Sequence, residues 1–183
     1  MKDLILKNRS YRRFYQSEKI EKKTLLELID LARLSPSGAN LQPLRYIISN
    51  DESKNEKVFS TLSWAGFLAD WHGPKEGEKP SGYIVILSET DAKYDVGIAC
   101  QSILLGAVEK GLGGCIFASI NRDKLRTLLQ IPAQYEIMLT LAIGKPKEEI
   151  VIEKMKNNEF KYWRDDHGVH HVPKRDLKDI IID

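Results

Sequence analysis

The chain of 183 residues sets 28 Lys and Arg against 26 Asp and Glu, a formal net charge of +2, and is 42% apolar. That much apolar content at so small a net charge can offset chain entropy by burial, which excludes intrinsic disorder, and the balance of charge leaves little long-range attraction for nucleic acid. No apolar run approaches the ~20 residues that span a bilayer, and the opening stretch, with an acid at Asp3, does not read as a signal peptide. Cys100 and Cys115 lack metal-ligand or redox spacing, so one cytoplasmic domain with reduced, buried thiols is expected.

Residues 1–7 read as a short helix with Met1, Leu4 and Ile5 inward. A basic turn follows, Asn8-Arg9-Ser10-Tyr11-Arg12-Arg13-Phe14. A helix beginning at 21–24 and running to 34 has Leu25, Leu28, Ile29 and Ala32 at helical spacing, and Thr24-x-x-Glu27 has capping-box form. It stops in Ser35-Pro36-Ser37-Gly38-Ala39-Asn40-Leu41-Gln42-Pro43, where two prolines and a glycine forbid continuation. Residues 45–49 read as a strand and 51–62 as a helix started by Asp51 or Ser53. The stretch 63–81 is irregular, as functional or mobile loops are, and Trp64 and Trp71 in it are either core or lid aromatics.

Residues 83–87, YIVIL, have the composition of a buried strand. The helix at 94–110 is apolar nearly all round and so belongs in the middle of the structure, with Gly111 ending it. A strand at 114–119, a helix at 121–129 capped by Asn121, and a buried strand at 137–143 complete the body. The body reads as a mixed sheet with helices on both faces. The polar tail 145–183 holds a hairpin, 161–164 against 169–172. A two-stranded hairpin is marginal alone, so it must lie on its own body or on a second subunit.

Three loops at element boundaries could carry chemistry. The basic turn offers forked arginine donors and a hydroxyl that suit a phosphate; taken alone it fits a solvated turn better. The uncharged 37–43 loop has amides that can read the edge of a heterocycle, or merely ends a helix. Gly111-Leu112-Gly113-Gly114 brings backbone into a crowded centre, or is simply a tight turn. Together they describe a pocket for a phosphorylated, flat heteroaromatic compound. His167, His170 and His171 raise the question of a metal, but no acid or Cys spacing completes one.

With these blocks in place the chain resembles the FMN-dependent nitroreductase family. Arg9-Ser10-Tyr11-Arg12-Arg13-Phe14 resembles its opening R-S-x-R-x-F block, and residues 31–43 its A-x-x-x-P-S-x-x-N-x-Q-P block. Residues 97–114 look like its core helix and glycine turn. The resemblance implies a single α+β domain, a three-layer α-β-α sandwich with a mixed central sheet. It also implies a homodimer with FMN at the interface and a C-terminal extension, 145–183, reaching the partner subunit.

By that similarity Arg9 and Ser10 hold the flavin phosphate with Lys174 and Arg175, and Arg12 lies near the pyrimidine side as an electrostatic aid. Ser37, Gly38, Asn40 and Gln42 border the ring, some from the other subunit, and Ile116, Phe117 and Ala118 lend backbone to it. The family pattern departs at Asn8, where Arg is usual, and at Leu44, where Trp is frequent. The implied activity is NAD(P)H-driven, ping-pong reduction of small nitroaromatic or quinone-type acceptors, with no protein acid or base and no metal. The rivals are a flavin carrier or sensor without turnover, and a specialised flavoenzyme of the same fold such as a reductive dehalogenase.

Overall fold

A computed structural model describes residues 1–68 and 70–182. Six-residue α1 (Lys2–Lys7) leads into α2 (Lys22–Leu34), β1 (Leu44–Ser49), α3 (Glu52–Phe59), β2 (Gly82–Ser88) and α4 (Lys93–Glu109). Then come β3 (Gly113–Phe117), α5 (Arg122–Leu129), β4 (Glu136–Gly144), β5 (Ile150–Lys154), β6 (Trp163–Arg164) and β7 (His170–Lys174). The central sheet runs β1-β2-β4-β3, and each of its pairings is antiparallel, with Tyr46 opposite Ile86, Val85 opposite Thr140 and Ile116 opposite Leu141.

Period-two alternation on β2 builds the two cores. Ile84 and Ile86 point to the face covered by α2 and α4, where Leu25, Leu28, Ala99 and Ile103 are buried. Tyr83, Val85 and Leu87 point to the opposite face, under Val58 of α3 and Leu125 of α5. The architecture is therefore a three-layer α-β-α sandwich of the α+β class. Its expected mixed character lies at the periphery: Ser10 bridges Gly114 in parallel beside β3, and in the small sheet β5-β7-β6 the β5–β7 pair is parallel and β6–β7 antiparallel.

Several local expectations shift. The chain enters α2 at Lys22 with Glu21 as an N-cap that makes no side-chain cap bond, so Thr24 sits inside the first turn and the capping box does not form. Ile20 and Leu25, buried in the same cluster, occupy the positions of a hydrophobic staple, and burial fixes the entry instead. Asp51 caps α3 by accepting from Lys54 N at 2.8 Å, and Asn121 caps α5 by accepting from Lys124 N at 3.0 Å. The end of α4 is a Schellman motif: Gly111 at φ 70° donates to Val108 O and Leu112 donates to Ala107 O.

Helix α1 buries none of its residues, contrary to the inward face expected for Met1, Leu4 and Ile5; it is short and lies at the margin against α4. Helix α4 is not enclosed all round either, because Tyr94 (91% exposed) and Ile98 (40%) form an open apolar face. Trp64 is a core aromatic: its ring meets Phe117 at 4.6 Å and Phe59 at 5.6 Å between the α3/α5 layer and the sheet. No helix among the described residues is long and apolar enough to cross a membrane.

Candidate flavin-phosphate cleft

The basic turn is stitched along the sheet edge. Tyr11 N donates to Gly114 O, Tyr15 N to Lys145 O, and Lys147 N to Arg13 O. This close approach explains Gly113, where a Cβ would stand 2.5 Å from the Tyr11 ring, while Gly114 is required by β4 and α4, a Cβ there lying 2.6 Å from Ala142 O and 2.7 Å from the Leu104 side chain. The turn is not merely solvated. Glu148, whose side chain is fully buried, accepts from the backbone N–H groups of Arg12 and Arg13. Its other oxygen lies 3.8 Å from Arg13 Nε and 2.9 Å from Arg164 Nη2. One carboxylate thus ties the amino-terminal turn to β6 in the tail, and the tail sheet lies on its own body.

The result is a cleft of about 300 Å³ between turn, α4, β3 and tail. Arg9, Ser10 and Arg12 line it from the turn, Ile116 from β3, and Tyr162, His170 and Lys174 from the tail. Among the described residues three cationic side chains line it and no carboxylate does. Arg9 donates from Nη2 to Ile5 O at 2.7 Å, while its buried Nε has no partner among the described residues. Arg12 lies over the Tyr162 ring at 4.5 Å, with Nη1 3.2 Å from His170 Nε2.

Of the three residues expected to lend backbone to the ring, Ile116 (43% exposed) also lines the cleft. The Phe117 side chain packs on Trp64 across the sheet, because strand alternation sends it to the other face. Ala118 is exposed outside the lining. Arg175 does not join Lys174 there; its Nη1 donates to Asn158 Oδ1 at 2.9 Å.

Ser37 and Gln42 line a second cleft, of about 190 Å³, with Tyr46, Asp95 and Ile98. The loop is built from left-handed backbone at Ala39 (φ 47°), Asn40 (φ 56°) and Gln42 (φ 51°), held by Gly38 N donating to Asp95 and Gln42 N to Ser37 Oγ. Such backbone persists where the surrounding structure over-determines it, as at ligand-binding sites. Gly38 and Asn40 lie outside that lining, so within one chain the two predicted halves stand apart, both against α4.

The Nitroreductase family model matches residues 5–71 and 88–145, more than half of the chain. The chain belongs to the nitroreductase family. It is 28% identical over 166 residues to an iodotyrosine deiodinase of Thermotoga neapolitana, covering 80% of this chain and 88% of that one. A Bacillus subtilis protein provisionally named NAD(P)H nitroreductase MhqN is 25% identical over 182 residues, at 80% and 88% coverage. The fold is also that of an FMN-dependent nitroreductase from Clostridium difficile R20291, with a TM-score of 0.63, 24% identity, and 86% and 92% of the two chains covered.

The donors lining the cleft fit the phosphorylated flavin that the family typically binds. The unpartnered Arg9 Nε is a buried donor that an anionic oxygen would satisfy, and Leu104, Ile116, Ile150 and Val172 give the same cleft an apolar side for a flat ring. Asn8, at the usually basic position, keeps a neutral amide there and donates to Gln101 Oε1 at 3.3 Å.

Glu148 and Tyr162 escaped sequence reasoning, and His170 was weighed only as a metal ligand. An acid just beyond a buried strand was the available signal for Glu148, since three arginines in one turn need a counter-charge. No spacing signals that Tyr162 and His170 fold back on residue 12. His171 lies between two carboxylates, donating from Nδ1 to Glu153 at 2.6 Å and from Nε2 to Asp165 at 3.2 Å.

Proposed function

We propose that this protein is an FMN-dependent oxidoreductase that takes electrons from NAD(P)H and passes them, in ping-pong order, to small nitroaromatic or quinone-type acceptors. The observation that carries the reading is the convergence of Arg9 and Ser10 with Lys174, 164 residues beyond Ser10, on one cleft that no carboxylate of the described residues lines. FMN, when bound, supplies the hydride and electron transfer, as cofactors do. Arg9, Ser10 and Lys174 bind its phosphate through charge-assisted hydrogen bonds. Arg12 holds a permanent positive charge toward the pyrimidine end, where it favours added electron density.

In this proposal Ser37, Gly38, Asn40 and Gln42 complete the site from the second chain of a cytoplasmic homodimer. That arrangement accounts for a loop held in strained backbone beside an open apolar face of α4. Residues 177–182, with exposed Leu177, Ile180, Ile181 and Ile182, are the part of the tail left to reach the partner.

The visible spectrum during FMN titration, then after anaerobic NADPH or NADH, tests the reading. Saturable yellow binding that either nicotinamide bleaches is expected. Arg9→Ala should weaken FMN binding by about 10- to 100-fold, the loss of charge-assisted hydrogen bonds. A protein that FMN does not saturate ends the proposal, and a bound flavin that neither nicotinamide reduces leaves the carrier or a flavoenzyme fed by another electron donor. The similarity to a deiodinase favours one second reading, reductive dehalogenation, which halide release from a halogenated aromatic substrate would reveal.

A further inference from the structure

We infer that His170, backed by the ring of Tyr162, is a positioning residue that orients the Arg12 guanidinium on the cleft without cancelling its charge. The inference rests on the flavin reading above and deepens it. His170 is 1% exposed and lines the cleft with Arg12 and Tyr162. Arg12 Nη1 lies 3.2 Å from His170 Nε2, and a guanidinium has donors only, so Nε2 accepts and the ring proton sits on Nδ1. That Nδ1 is buried and has no partner among the described residues, the mark of a tautomer imposed from its other end. Tyr162 packs on the imidazole at 5.1 Å while its face supports the guanidinium at 4.5 Å.

The charge arrangement around this group gives the choice of histidine its meaning. Burial, then the guanidiniums of Arg12 and Arg164, then His171 and Arg13, push the His170 pKa down to about 4, so the ring is neutral at pH 7. A carboxylate in its place would orient Arg12 equally well but neutralise it. Glu148, the nearby acid, takes only the backbone N–H of Arg12 and gives its remaining oxygen to the side chains of Arg13 and Arg164. Arg12 therefore keeps a whole positive charge, fixed in direction, for whatever lies in the cleft. Such a charge binds the reduced, more electron-rich flavin better than the oxidised one.

The test is the ratio of dissociation constants of the intact protein for reduced and oxidised FMN, measured with the potential of the bound flavin. His170→Leu should reduce the preference for the reduced form about tenfold, which is ~30 mV for a two-electron couple. His170→Gln, which keeps an acceptor, should stay within about threefold of wild type. His170→Glu should lose at least as much as His170→Leu. If the leucine variant melts at room temperature, Tyr162→Leu on the half-buried side carries the same expectation, with Tyr162→Phe unchanged because the ring face remains. A ratio unmoved in these folded variants, or one lowered equally by Gln and Leu, overturns the inference while leaving the flavin reading intact. Wild-type protein that binds neither form overturns both.

Discussion

At the scale of single residues, His170 shows how packing rewrites a side chain's ordinary chemistry. Its pKa of about 4 in the fold lies below its usual 6.5, because burial and then neighbouring guanidiniums disfavour the charged ring. As pH falls, the unfolded chain takes up this proton first. Stability from the neutral ring is therefore complete above pH 6.5 and is lost as pH drops toward 4. His171 runs the other way: burial pulls its pKa down, but hydrogen bonds to Glu153 and Asp165 outweigh that and raise it, so its contribution is present at low pH. The thermal midpoint followed from pH 7 to pH 4 should fall more steeply in wild type than in His170→Leu. Parallel curves would show that His170 is not the group responsible.

The elements are held to one another at a few chemical points, and Glu148 is the chief of these. It joins the turn after α1 to β6, and so roofs the cleft with Tyr162 and His170. Glu148→Gln leaves buried guanidiniums without their counter-charge, a change that destabilises by about 3–5 kcal/mol in comparable pairs. Urea denaturation should register that loss, and proteolysis within the 155–168 connection should quicken. Unchanged protection of this connection would mean the tail is held by its sheet alone.

Most of the elements were legible because hydrophobic period and end signals act within a few residues. YIVIL and the α4 repeat announce themselves, as do Asp51, Asn121 and Gly111 at helix ends. The first turn of α2 misled because Ile20 and Leu25 are buried together by the sheet, a long-range condition that overrides Thr24 and Glu27. Strand β5 escaped notice because its burial alternates only once β7 lies beside it.

For the whole molecule the open question is what covers the apolar side of α4. Tyr94 and Ile98 are exposed there, α1 beside it carries exposed Ile5 and Leu6, and both clefts abut this helix. The proposed homodimer would cover these exposed apolar side chains. Light scattering after size exclusion should therefore give twice the 20.9 kDa chain mass. If the proposed two-chain site holds, Ile98→Glu should yield a folded monomer with FMN affinity reduced at least tenfold, through loss of the 37–42 loop of the second copy. A wild-type monomer that binds FMN tightly would end the two-chain account of the site.

The blocks around Arg9, Ser10 and Arg12, around Ser37 to Gln42, and around the glycine turn sufficed in the sequence to place the family and the layered fold. They did so because turn chemistry and helical spacing are properties of neighbouring residues. Only the folded chain decided that Lys174 lines the same cleft as Arg9 while Arg175 turns to Asn158, that the Phe117 side chain faces the opposite core, and that a buried glutamate spans turn and tail while His170 meets the Arg12 side chain. Those outcomes depend on which strands lie side by side and how far charges stand from water, and neither is a property of a local stretch of chain.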